Sequence, residues 1–301
     1  MSAPLRSRPL VFVGTATHDT IVLVDRYPGA DERVVVDELV SAGGGPAATA
    51  AVTAARLGRH AAFVGAVGDD EVGDAIVAGL EREGVDTSGV LRRPGGRSAT
   101  SVVVVAREGA TRSILHRPAD AVELSSTGWE LIARAEWVHV DQIGWPLVDA
   151  WRRARSGSPR LSVDAGNPVD GVTVDGVDLY VPTLASLRRR HGDLPTERLL
   201  ATTVAEGARL VVATDGSDGA WVRADDGPTA HVPAFATEIR STLGAGDVFH
   251  GALLAAIDRG LDVRDAATYA SAVAALSCRG LDGRSAIPDH ERTLTFLEES
   301  T

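Results

Sequence analysis

Short apolar runs rich in β-branched residues recur along this 301-residue chain, separated by stretches of helical length. Strands are expected at 10–13, 61–64, 102–106, 137–140, 161–163, 179–181, 210–213 and 220–222. Helices are expected at 46–57, 70–83, 129–134, 146–155, 184–190, 196–206, 245–259, 263–278 and 290–298. Strands that are apolar on both faces and alternate with helices belong in a mainly parallel sheet covered on both sides. The expected fold class is α/β.

Two stretches break that rhythm. Between 20 and 40 the pattern alternates as in a strand, around a turn at Tyr27-Pro28-Gly29. Between 97 and 115 two strand-like runs flank the turn Glu108-Gly109-Ala110. These imply a small antiparallel sheet standing off the main one, a lid formed by about 16–41 and 96–118. No repeat or low-complexity linker interrupts the chain, so 1–301 reads as one domain.

Composition excludes several chemistries. All 30 basic residues are arginine, against 41 acidic ones, for a net charge of −11. Without lysine there is no Walker A kinase, no protein kinase and no Schiff-base or pyridoxal-phosphate enzyme. The acidic balance argues against nucleic acid and anionic membranes as partners. Cys278 stands alone, so no intrachain disulfide can form. No apolar run approaches a membrane span, and the N-terminus lacks an apolar signal segment, so a cytoplasmic location is expected. The eight histidines show neither an H-x-x-x-H pair nor a cysteine partner at ligand spacing, so no zinc site is expected.

The sharpest motif is Ser241-Thr242-Leu243-Gly244-Ala245-Gly246-Asp247-Val248-Phe249, followed by an alanine-rich helix. Glycines at a loop-to-helix junction let backbone N–H groups converge on an anion, and the helix dipole adds to that field. Asp247 falls in the first turn. It suits a general base for an attacking alcohol, or an acid that only stabilises its helix.

This segment is similar to the carboxyl-terminal signature of the PfkB/ribokinase family of sugar kinases. The amino-terminal signature is recognisable in Gly43-Gly44-Gly45-Pro46-Ala47-Ala48-Thr49-Ala50, running on to Ala55-Arg56-Leu57-Gly58. Further similar pieces follow in order: Gly14 with Asp19, Gly65 to Asp70 with Gly73, Thr214-Asp215-Gly216 with Gly219, and Gly280 with Ile287-Pro288.

The resemblance implies a ribokinase-like three-layer α/β/α sandwich with a small β-sheet lid, and a homodimer formed through that lid. It implies a small-molecule sugar and ATP with Mg²⁺ as ligands. Asp247 would be the catalytic base, with the amides of Gly244, Ala245 and Gly246 as the anion hole. Thr214, Gly216, Gly219 and Ser271 would bind nucleotide, and Asp19 with Gly43, Gly44 and Gly45 would contact sugar hydroxyls.

Departures from the family pattern matter. Ser241 replaces the usual first aspartate of the signature, which leaves a monovalent-cation site in doubt. The N-x-x-E pair that organises magnesium waters is absent at Thr183 and Ser186, and Ala48 replaces a sugar-contacting asparagine. Within the family the likeness runs most to kinases of 6-deoxy-6-sulfofructose and more weakly to ketohexokinases. Both imply phosphorylation of a primary hydroxyl, O1, of a ketose-type sugar. Arg33, His116 and Gly144 occupy the places of the sulfonate ligands, so Gly144 lacks the guanidinium; Arg112 or Arg117 would replace it, or be solvated lid charges. A fructokinase, ribokinase or nucleoside kinase, or a non-catalytic sugar-binding homologue, are the alternatives on the same scaffold.

Overall fold

In a computed structural model, residues 8–120, 123–155, 157, 159–225 and 227–300 are described. The first seven residues, part of the N-terminus read for a signal segment, lie outside them. The chain enters through β1 (Leu10–Val13), leaves the main sheet for β2 (Thr17–Val24) and β3 (Glu38–Gly44), and returns through α1 (Pro46–Arg56) to β4 (Ala61–Val64). Next come β5 (Ala66–Gly68), α2 (Glu71–Arg82) and β6 (Leu91–Arg93), then an excursion through β7 (Thr100–Ala106) and β8 (Thr111–Arg117).

The chain rejoins the main sheet by α3 (Ser126–Arg134), β9 (Trp137–Val140), α4 (Trp145–Arg153), β10 (Arg160–Ala165) and β11 (Leu179–Pro182). After α5 (Leu184–His191) and α6 (Thr196–Ala205) come β12 (Leu210–Thr214), β13 (Ala220–Ala224) and β14 (Ala230–Val232). Three helices close the chain: α7 (Ala245–Asp258), α8 (Val263–Ser277) and α9 (His290–Glu299).

The main sheet runs β14-β13-β12-β11-β10-β9-β1-β4, parallel from β12 to β4 with an antiparallel meander at the β14 edge. Alternation along each strand feeds two cores. Phe12, Phe63, Trp137 and Val181 pack against α1, α7 and α8. Val11, Val64, Val138, Val163 and Val211 pack on the opposite side, with Ile132, Val148, Leu187 and Leu199 of α3 to α6. This is the expected ribokinase-like α/β sandwich.

Two helices set the later geometry. Pro46 opens α1 at a position where its missing N–H costs nothing. A Cβ on Gly251 of α7 would lie 2.3 Å from the Ala50 carbonyl oxygen, so α1 and α7 meet backbone to backbone. The small residues at this crossing hold the first turns of both helices beside the same end of the sheet.

The second sheet, β3-β2-β7-β8, corrects one expectation. It is mixed, not antiparallel: β2 pairs with β7 in parallel, while β3 and β8 are antiparallel additions. The reason is connectivity. β2 and β7 both leave the main body outward, with α1, β4, α2 and the short β5/β6 pair between them, whereas each outer strand joins its neighbour directly. Among the described residues no helix is long and apolar enough to cross a membrane.

Candidate functional site

A cavity of about 470 Å³ lies at the carboxyl ends of the parallel strands, beneath the small sheet. Its position follows from topology. From β1 the sheet grows one way to β4 and the other way to β9, and ligands in open α/β sheets bind at such a switch point. Asp141 closes the crevice: Oδ2 accepts from Thr15 N–H at 2.7 Å, and Oδ1 accepts from the amides of Ile143 and Gly144.

Asp247 reaches this cavity from the first turn of α7. Gly244 caps the helix at φ 73°, a left-handed conformation that favours glycine. Gly246 has no atom within 4 Å of where a Cβ would stand, and both glycines line the cavity. Ala245 does not, and its N–H already donates to the Thr242 carbonyl at 3.3 Å. Ser241 is buried, and its hydroxyl accepts from Leu243 N–H at 3.1 Å, holding the loop that precedes the helix.

The Asp247 carboxyl is pushed up to about 8 by burial first, then by the nearby charges of Asp164 and Asp141; Arg112 and Arg284 pull the other way. The residue is only partly buried, because its carboxylate opens into the cavity. Burial therefore acts in full when a ligand displaces the water.

The other expected residues divide. Asp19, Gly45, His116 and Thr214 line the same cavity. Asp19 Oδ1 and Thr17 Oγ1, both buried, have no protein partner and stand ready for ligand hydroxyls. His116 Nδ1 lies 3.2 Å from Ser101 Oγ. Gly43 and Gly44 sit behind the wall instead. A Cβ on Gly43 would meet Arg284 Nη1 at 2.3 Å, and one on Gly44 would meet Asp19 Oδ2 at 2.0 Å.

Arg33 lies on the exposed stretch between β2 and β3, off the cavity wall. Ser271 is buried in α8, and Gly216 and Gly219 stand beyond Thr214; none lines the cavity. Gly219 also has a packing reason to be glycine: at φ 92°, a Cβ would lie 2.1 Å from the Val232 carbonyl oxygen.

Residues that went unremarked complete the wall. Gln142, Asp164, Asn167 and His250 line the cavity, and Arg284 is a buried cation behind it. Asp164 is the penultimate residue of β10 and Gln142 follows β9, so strand carboxyl ends were the available signal. Burial pushes Asp164 up and holds both His139 and His250 neutral, each pushed down to about 3. Thr183 Oγ1 and Ser186 Oγ, at the absent N-x-x-E positions, lie 2.8 Å apart and cap α5.

With this geometry in view, comparison with known proteins defines the class. Residues 7–156 and 172–290 match the pfkB family of carbohydrate kinases, and the chain belongs to that family. It is 28% identical to the ATP-dependent ribose-1-phosphate kinase of Halopiger xanaduensis, across 95% of this chain and 97% of that one. It is 26% identical to mouse ketohexokinase, across 93% and 99%. The solved ribokinase of Arabidopsis thaliana, complexed with ribose and ATP, shares the fold with a TM-score of 0.82, covering 97% of this chain and 99% of that one at 24% identity.

Proposed function

We propose that this carbohydrate kinase transfers the γ-phosphoryl group of ATP to a primary hydroxyl of a ketose-type sugar, with Asp247 as general base. One observation carries the reading: Asp247 and the anion-binding turn of Gly244 and Gly246 face one cavity with the unpartnered oxygens of Asp19 and Thr17. Those oxygens accept from sugar hydroxyls and orient the acceptor. Asp247 takes the hydroxyl proton as the oxygen attacks the γ-phosphorus; the bond to the β-phosphate oxygen breaks and ADP leaves. The free amides at the start of α7 balance charge on the transferred group, which is how a chain without lysine manages phosphoryl transfer.

Thr214 begins the nucleotide side, with Gly216, Gly219 and Ser271 further along it. Magnesium fits the oxygen donors on the wall, Asn167 and Thr183, with few protein contacts beyond the phosphates; it neutralises phosphate charge when bound. The small sheet acts as the lid. Its outer face exposes Leu39 (63%), Val102 (46%) and Leu115 (63%), an apolar stripe suited to a second copy of the chain.

A second reading concerns acceptor charge. Arg112 and His116 on the lid wall favour a sugar bearing a sulfonate or phosphate, the chemistry of the sulfofructose likeness. Two of the three places behind that likeness supply nothing to the cavity. Arg33 stands away from it, and a Cβ on Gly144 would lie 2.1 Å from the Val13 carbonyl oxygen, leaving no room for a side chain.

Initial rates of ADP release decide between the readings. The panel is fructose, tagatose, ribose, fructose 6-phosphate, ribose 1-phosphate, sulfofructose and a nucleoside. Turnover led by a ketose is expected. A nucleoside or aldopentose used at least tenfold better sinks the ketose reading, and a neutral sugar used faster than its charged counterpart sinks the anionic one.

A further inference from the structure

Below the cavity floor, three polar side chains face one another inside an apolar layer. His139 comes from β9, Asp164 from β10 and His250 from α7, with exposures of 1%, 3% and 4%. Strand alternation puts His139, Ser162 and Asp164 on the sheet face that α7 covers, and His250 stands one turn beyond Asp247. One donor atom from each of the three lies within 4.8 Å of the others, and His250 Nε2 is 3.3 Å from Asp164 Oδ1.

We propose that His139, Asp164 and His250 bind a first-row transition-metal dication of the zinc class, distinct from the magnesium that accompanies nucleotide. Unsatisfied donors point to a ligand. His139 Nε2 is buried without a hydrogen-bond partner, a costly condition for a ring nitrogen, and His250 has one unpartnered nitrogen, Nδ1, while its Nε2 faces Asp164. His139 Nδ1 lies 2.9 Å from Ser162 Oγ. The tautomer in which Nδ1–H donates to that hydroxyl leaves the Nε2 lone pair for a metal, the usual outer support of a ligating imidazole.

The reach is short. A point among three atoms no more than 4.8 Å apart lies at most about 2.8 Å from each, so inward shifts of roughly 0.7 Å give zinc-like bonds of 2.0–2.2 Å. Two neutral imidazoles and one carboxylate select zinc, cobalt or nickel over magnesium, which demands oxygen. Asp164 and His250 also line the cavity, which supplies an entry path and room for a water as further ligand.

The full-length protein, stripped with chelator, is titrated with Co²⁺ and read by visible d–d absorption; Zn²⁺ competition and thermal midpoints follow. One Co²⁺ per chain, displaced by Zn²⁺, and a midpoint raised by Zn²⁺ but not by equal Mg²⁺, are expected. His139→Gln and His250→Gln should each weaken binding by at least about tenfold, and Ser162→Ala, which keeps every ligand, by about 10–100-fold. No cobalt band in the wild-type protein overturns the site. So does unchanged affinity in the histidine variants, or in Ser162→Ala if those do not fold, and so does a midpoint shift equal for Mg²⁺ and Zn²⁺. These readouts are independent of whether the protein phosphorylates a ketose.

Discussion

Asp247→Asn lowers kcat by about 10²–10⁴-fold and leaves the KM values for sugar and ATP within a few-fold of wild type. Asparagine keeps the size of the side chain and a carbonyl oxygen to face the acceptor, but it cannot take the hydroxyl proton. The effect belongs to the chemical step. A coupled assay for ADP release measures it, and a variant within tenfold of wild-type kcat ends the general-base assignment.

The same carboxylate predicts a pH profile. In the proposed mechanism its ionised form is the active one, and burial with the charges of Asp164 and Asp141 holds its proton on up to about 8, against the pull of Arg112 and Arg284. Rate therefore falls as pH drops through that value and levels off above it. His250, one turn along α7, stays neutral across this range and adds no limb of its own. The acid limb of log kcat/KM is expected well above the ordinary carboxylate range near 4, at or below about 8. A profile flat down to about pH 5 contradicts it.

Arg284→Met destabilises the fold by about 1–3 kcal/mol, the cost of leaving buried hydrogen-bonding groups without their charged partner. Arg284 is 8% exposed. It donates from Nη2 to the Gly44 carbonyl at 2.7 Å and from Nε to Thr49 Oγ1 at 3.1 Å. Burial pulls its pKa down to about 10, while Asp19, Glu83 and Asp247 hold it up, so it stays cationic at neutral pH.

Methionine fills similar volume but leaves the Gly44 carbonyl unpaired and removes the positive charge felt by Asp19 and Asp247, while Glu83 keeps its pair with Arg56. Denaturant unfolding measures the loss, and the Asp247 limb should also move to higher pH. An unfolding free energy within about 0.5 kcal/mol of wild type refutes that role.

This arginine also explains part of the glycine run. Gly43 is glycine because Arg284 occupies the space its side chain would need, and Gly44 because Asp19 does. Reading 43–45 along the chain suggested three sugar contacts; in space only Gly45 lines the cavity. The turn proposed to bind an anion divides in a similar way. Gly244 and Gly246 face the cavity, whereas Ala245 spends its N–H on Thr242.

Local patterns determined much of this protein. Two-faced apolar strands alternating with helices specify a covered parallel sheet, because only burial on both faces satisfies such strands. The turn before α7 brings its glycines and Asp247 within one helical turn, and that local pattern is what the proposed anion site and base rest on. Absence of lysine excludes ammonium-based phosphate binding at any position.

Tertiary structure decided what depends on residues far apart in the chain. It set the parallel pairing of β2 with β7, which follows from where the chain leaves and re-enters the core. It kept Arg33 off the cavity. It also gathered His139, Asp164 and His250 from two strands and a helix, a cluster invisible to the motif spacing that argued against zinc. Spacing along a chain reports neighbours within one element; contacts between elements are set by how the sheet orders its strands and where α7 crosses them.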